Sequence, residues 1–387
     1  MNYSISHPGK IIECEINLPS SKSISNRLLI IQAICKEKFK IRNLSTSDDT
    51  TLLFNALRKK EKRIDVGSGG TTFRFLTAYL ATCKGEEFIL TGSKRIKERP
   101  IEKLVNALNN LGANISYVKK KGYAPLKIVG KEMNGGNISI PANISSQFIS
   151  AILLISPTLK KGLTLTLNKQ IVSRSYINMT LAILKYYGIK YINRNNKISI
   201  PCHQNYIAQN YLVESDWSAA SFWYEIGALT KNCKIKLNGL FQNSIQGDKK
   251  VEKIFSKLSV STNFIKDGVI LKKTSIKPLT KTISLINTPD LYQPLACTLK
   301  GLNINCKLLG LNTLKDKETD RIQAIKKELE KVEKNQEINT YNDHRMAMCF
   351  APLSLIYGKV IIQNPNVVTK SYPMFWNDLK KAKFKII

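Results

Sequence analysis

The chain has 387 residues, 43% hydrophobic and 23% charged, a composition that excludes a disordered protein and suggests two or three folded domains. Its 60 Lys and Arg against 28 Asp and Glu leave a formal charge of +32, set out in short pieces such as Lys119-Lys120-Lys121 and never in one long tract. That pattern argues against a nucleic-acid module and leaves a field that draws in small anions. Eight scattered cysteines form no C-x-x-C and the three histidines have no metal-ligand spacing, so reduced thiols, a cytoplasmic setting and no metal are expected. No apolar run approaches the roughly 18 residues of a membrane span. The anion-binding pattern is already under way at Lys22, which leaves no room for a targeting peptide.

Taken in order, the chain reads as one unit written six times. Each unit opens with a polar entrance and an apolar helix: Ser23–Cys35, Gly70–Cys83, Ser146–Ser156, Ser218–Thr230, Leu291–Lys300 and Arg345–Tyr357. These helices are apolar nearly all round or rich in small residues, so they should be buried. A strand follows each, at Phe39–Leu44, Phe88–Thr91, Leu163–Leu167, Lys234–Leu240, Cys306–Leu311 and Val360–Gln363. A second, amphipathic helix comes next, with stripes such as Ile101, Leu104, Val105, Leu108 and Leu111. Two further stripes are Val251, Ile254, Phe255 and Leu258, and Ile322, Ile325, Leu329 and Val332. A turn and another strand close most units, as at Gly188-Ile189-Lys190-Tyr191. The expected fold class is α/β, with two similar domains of three units each. The boundaries fall at 18–214 for one domain and at 1–17 plus 215–387 for the other.

Polar residues gather at the entrances of the buried helices. The first, Pro19-Ser20-Ser21-Lys22-Ser23-Ile24-Ser25-Asn26-Arg27, crowds hydroxyl groups and two cations into the entrance of its helix. Helix N-termini present unpaired N–H groups and a positive dipole end, and cations there favour phosphate or carboxylate. If the buried helices run parallel, their ends converge on an anion-binding face without any metal.

Six motifs carry a resemblance. Pro19–Arg27, Gly67–Arg74, Glu98-Arg99-Pro100, Ser145-Ser146-Gln147-Phe148, Lys317-Glu318-Thr319-Asp320-Arg321 and Tyr341-Asn342-Asp343-His344-Arg345 stand in the order seen in the 5-enolpyruvylshikimate-3-phosphate synthase family. The resemblance spans nearly the whole chain. It implies two domains of three βαβαββ units with buried parallel helices, the enolpyruvyl transferase fold, the C-terminal domain also taking the first residues. It implies transfer of the enolpyruvyl group of phosphoenolpyruvate to the 5-hydroxyl of shikimate 3-phosphate, with no cofactor, no nucleic-acid or membrane partner, and a monomer.

The resemblance also assigns residues. Asp290 matches the base for the attacking hydroxyl, Glu318 the proton donor to the methylene carbon, and Lys22 a catalytic cation between the ligands. Lys22, Ser23, Arg27, Ser145, Ser146, Gln147, Ser173, Asp290 and Lys317 match the shikimate 3-phosphate side. Lys22, Gly70, Arg99, Gln147, Arg321, Arg345 and Lys370 match the phosphoenolpyruvate side. Arginine's planar fork suits both anions. On the residues alone, Asp290 also reads as a helix cap after Pro289, and Glu318 as a first-turn dipole partner. Tyr176 is a weaker match, His344 and Asp343 read as orienting Arg345, and Asp216 and Asp248 as caps or hinge contacts. Ser68 stands where the family's Gly-rich loop usually has Asn, and Thr313 and Asp316 also depart from its pattern. The alternatives are UDP-N-acetylglucosamine enolpyruvyl transferase, whose usual Cys is missing from Thr91–Pro100, and a basic nucleic-acid-binding protein.

Overall fold

The computed structural model describes residues 1–59 and 61–387. The chain divides into two compact units, Lys22–Val213 and a second made of Met1–Ser21 with Glu214–Ile387. The divisions lie a few residues from those expected at 17/18 and 214/215. Ser21 N–H donates to the Glu214 carbonyl at 2.8 Å and Ser20 bridges Ser215, so residues 18 to 21 are held by the second unit.

Within Lys22–Val213, two four-stranded sheets share one topology. Arg63–Asp65 runs parallel to Glu87–Thr91, which pairs antiparallel with Leu126–Val129, itself paired with Asn114–Tyr117. Gly136–Pro141, Leu163–Asn168, Lys197–Ile200 and Ile192–Arg194 repeat that order. The remaining element is a parallel pair, Ile41–Arg42 with Tyr211–Leu212. The second unit shows the same set. Ile11–Asn17, Asn232–Asn238, Gly268–Ile276 and Leu258–Ile265 make one full sheet. In another, the N-terminal strand Asn2–Ser6 sits between Lys359–Gln363 and Lys385–Ile386, with Ile338 bridging Ile362 in parallel. Thr282–Ser284 and Lys307–Leu309 form a separate two-stranded parallel sheet.

Two of the six units are therefore abbreviated to β-α-β-α. Their amphipathic helices, Asp48–Lys59 and Arg321–Val332, reach the next paired residues, Arg63 and Ile338, within six residues, which is too short for a hairpin. The apolar helices are buried as their composition demands. Ser146–Ile155 buries every residue except Gln147, and Trp217–Leu229 buries all but Ser218. Each fully buried Leu, Ile or Phe contributes about 1.5–3 kcal/mol, and these helices carry several apiece.

Three local expectations are corrected. The helix expected over Arg345–Tyr357 breaks into His344–Phe350, a 3₁₀ turn Ala351–Leu353 and Ser354–Tyr357, because Pro352 has no N–H to continue the ladder. Leu258 leaves the amphipathic helix, which stops at Phe255, and begins a strand instead. The strand expected at Ile189 starts only at Ile192. One feature of the core was invisible in the apolar pattern: Glu225 is fully buried, and burial pushes its carboxyl well above the usual range.

Candidate active site

In Lys22–Val213 the polar side chains gather at helix N-termini. Arg27 is 2% exposed and bonds only neutral groups: Nε to Thr180 Oγ1 at 2.8 Å, Nη1 to the Ser23 carbonyl at 2.7 Å, and Nη2 to Ser150 Oγ and the Tyr176 carbonyl. Burial pulls its guanidinium down to about 10. A desolvated cation that pairs with no carboxylate among the described residues favours an incoming anion. Lys22 Nζ stands 3.7 Å from Asp49 Oδ2, and Thr72 Oγ1 lies 2.7 Å from Asp49 Oδ1. Ser145 caps its helix by accepting from Gln147 N–H at 3.3 Å, and Gln147 Nε2 donates to Thr71 Oγ1 at 3.2 Å. Ser146 is buried beside them, and the buried Ser173 takes a left-handed φ of 53° before the helix Arg174–Tyr186. Such strain in a non-glycine residue is common at binding sites.

Gly70 matters for what it lacks. A Cβ there would lie 2.5 Å from Arg99 Nη1, so the glycine lets the buried Arg99 guanidinium rest against the opening turn of Gly70–Leu80. Arg74 Nη1 donates to the Gly70 carbonyl at 3.0 Å. Ser68 Oγ reaches Ser93 Oγ at 3.5 Å, tying the Gly-rich loop to the cap of Lys94–Glu98.

In the second unit Arg321 is the centre. Its Nε donates to Asp343 Oδ2 at 2.7 Å, Nη1 to Asp290 Oδ1 at 3.0 Å, and Nη2 to Glu318 Oε2 at 2.8 Å and Asp343 Oδ1 at 3.4 Å. Burial opposes its charge, but Asp343, Glu318 and Asp290 outweigh that and hold the guanidinium above its ordinary value. Four of its five N–H donors are thus committed to the protein's own carboxylates, which limits it as a direct ligand for a substrate anion. Arg345 adds a second cation to Asp290, through Nη2 at 3.3 Å from Oδ2 and Nη1 on the carbonyl at 3.0 Å. Lys370 Nζ donates to the Asn342 carbonyl at 2.7 Å, and Lys317 is half-buried in the turn before Arg321.

Neither acid caps the helix that follows it. Asp290 sits in the turn Pro289–Leu291 and does not cap the helix Tyr292–Gly301. Glu318 lies outside the helix that Arg321 begins, and Asp320 is its cap, accepting from Ile322 and Gln323 N–H. Asp343 both caps its own helix, through Arg345 N–H at 2.9 Å, and receives Arg321. Asp216 caps Ser218 and Ala219. Sequence reasoning missed the part of Asp49 and of the buried Glu328, which shares a helical face with Arg321. The seven-residue spacing was the available signal.

Asp248 is nearly fully buried and bonded by Ser218 Oγ. Burial first, then Asp290, push its carboxyl up to about 7, against the pull of Ser218 and Arg345. A raised folded pKa means the bound proton favours the fold. That contribution is complete below the ordinary carboxylate range and is lost as pH rises through about 7. Asp248→Asn, neutral throughout, should therefore gain in thermal midpoint on the native protein between pH 5.5 and 8.5. A gap that stays constant across those scans would show that Asp248 titrates as an ordinary carboxylate.

Among the described residues no helix is long and apolar enough to cross a membrane. The model of the EPSP synthase (3-phosphoshikimate 1-carboxyvinyltransferase) family matches residues 6–61 and 58–379. The chain is 44% identical to the 3-phosphoshikimate 1-carboxyvinyltransferase of Bacteroides fragilis, covering 100% of this chain and 99% of that one. It is 34% identical to the protein of that name from Haemophilus influenzae, with 98% of each covered. The solved EPSP synthase of Acinetobacter baumannii superposes with a TM-score of 0.81 at 21% identity, covering 100% of this chain and 99% of that chain, a likeness of fold. The motifs, the fold and these relatives agree, and the chain belongs to the EPSP synthase family.

Proposed function

We propose that this chain, working as a cytoplasmic monomer without cofactor, transfers the enolpyruvyl group of phosphoenolpyruvate to the 5-hydroxyl of shikimate 3-phosphate and releases phosphate. The observation that supports this reading best is the meeting of Asp290 and Glu318 on one buried guanidinium, Arg321. Asp290 takes the proton of the 5-hydroxyl as its oxygen bonds to C2 of phosphoenolpyruvate. Glu318 gives a proton to C3, turning the methylene into a methyl group. In the second half the methyl returns a proton to Glu318, the double bond re-forms, and the bond from C2 to the phosphate oxygen breaks, the departing phosphate taking its electrons and the proton held by Asp290. Arg321 keeps the two acids apart and oriented, and Arg345 and Lys370 hold the donor's anionic groups. Arg99, resting on Gly70, and Gln147 are further phosphoenolpyruvate ligands. Ser23, the charge-rich Arg27, Ser145, Ser146, Ser173 and Lys317 hold shikimate 3-phosphate, and Lys22 offsets charge as the bonds exchange.

A coupled phosphate-release assay tests the reading. Phosphate should appear with phosphoenolpyruvate and shikimate 3-phosphate together, and not when UDP-N-acetylglucosamine is the acceptor. Release with the nucleotide sugar alone would move the chain to the related transferase. Silence with both acceptors would defeat the enzymatic reading.

A further inference from the structure

The helix Arg321–Val332 carries a second buried charge. Arg321, Ala324, Ile325, Glu328 and Val332 form its buried stripe, so Glu328 faces the same way as Arg321, seven residues on. Glu328 Oε2 accepts the Asn339 amide at 2.9 Å, and Oε1 accepts the Tyr341 hydroxyl at 2.6 Å and faces Lys331 Nζ at 2.9 Å. Asn339 in turn accepts Tyr341 N–H on Oδ1 at 2.7 Å. These bonds end on an unusual piece of backbone. Tyr341 and Asn342 follow each other with φ of 51° and 56°, a left-handed pair that a tyrosine side chain disfavours unless held there.

What the pair positions is the site. It turns the Asn342 carbonyl to Lys370 Nζ, and Asn342 Oδ1 to Asn364 Nδ2 at 2.9 Å. It then delivers Asp343, whose carboxylate binds Arg321 Nε and caps the helix that carries Arg345. One helix thus grips this loop twice, through Arg321 on Asp343 and through Glu328 on Asn339 and Tyr341.

We propose that Glu328 is a positioning residue for phosphoenolpyruvate: by gripping Asn339 and Tyr341 it fixes the left-handed turn from which Arg345 and Lys370 take their places. This rests on the reading that Arg345 and Lys370 bind that substrate. Charge-assisted hydrogen bonds of this kind are strong, and losing one should raise the KM for phosphoenolpyruvate by roughly tenfold in Glu328→Gln. Tyr341→Phe, which removes only the hydroxyl, should raise it by a smaller factor. The KM for shikimate 3-phosphate should stay near the native value in both. The effects of the two substitutions should not add in the double variant, since Tyr341→Phe removes one of the contacts that Glu328→Gln already weakens.

Native values for phosphoenolpyruvate in both single variants would overturn the proposal. So would a parallel rise in both KM values with a fall in thermal midpoint, the mark of a purely structural part. If Glu328→Gln fails to fold, Tyr341→Phe decides by the same criteria. Arg345→Ala in the same assay separates two kinds of failure. A raised KM there, with both other variants native, removes Glu328 from the mechanism alone. An unchanged KM in Arg345→Ala removes the reading beneath it, and the proposal with it.

Discussion

Glu318→Gln and Asp290→Asn should each lower kcat by roughly 10²–10⁴-fold, the usual loss when a positioned acid or base is removed. Both changes keep shape and one oxygen acceptor, so Arg321 still finds a partner at 2.8 Å or 3.0 Å. What disappears is proton transfer. The two variants should differ in secondary effects. Asp290 receives both Arg321 and Arg345, so Asp290→Asn weakens two charged contacts and should also cost some stability. Glu318 is more exposed, with 21% of its side chain accessible, and meets Arg321 among the cations of the ion-pair set, so Glu318→Gln should fall more purely on turnover. The measurements are steady-state kcat, shikimate 3-phosphate affinity by titration calorimetry, and the thermal midpoint of each variant. Native turnover in either variant would remove that residue from the proton chemistry.

Arg321→Ala should be the most damaging single change to the fold of the second unit. Asp343 is fully buried and Asp290 largely so; without the guanidinium Asp343 loses the cation that pairs it and Asp290 loses one of its two arginines. Removing one member of a buried ion cluster typically costs 3–5 kcal/mol, because the others remain desolvated, and the fold loses roughly 10 °C of thermal midpoint at this size. Arg321→Lys keeps the charge but not the planar fork that reaches three carboxylates at once, so it should fall between the native protein and alanine. Activity should vanish with alanine even where the protein remains folded, since Asp290 and Glu318 lose their common support. A thermal midpoint within a degree of native for Arg321→Ala would mean the cluster contributes nothing to stability and that Asp343 is held by its helix cap alone.

The sequence by itself determined the repeat, the helices and their entrances. Apolar spacing within three or four residues, and caps within two or three, are local properties, so Trp217–Leu229 and Ser146–Ile155 could be read with their polar openings before any fold was known. The motif set pointed in the same way to Asp290, Glu318 and Arg321. Only the tertiary structure decided what those residues touch. Arg321 finds Asp290 from 31 residues away and Asp343 from 22, and no local pattern encodes which carboxylate a guanidinium will meet. That choice gave Arg321, expected as a substrate clamp, three carboxylates of the protein itself as partners. Tertiary packing likewise put Glu328 and Ala324 into the buried stripe expected of Ile322, Ile325, Leu329 and Val332, and left Ile322 and Leu329 only half-buried. The physical reason is one of range: helix period and capping act within a turn, whereas burial and ion pairing are settled by whatever the whole chain brings alongside.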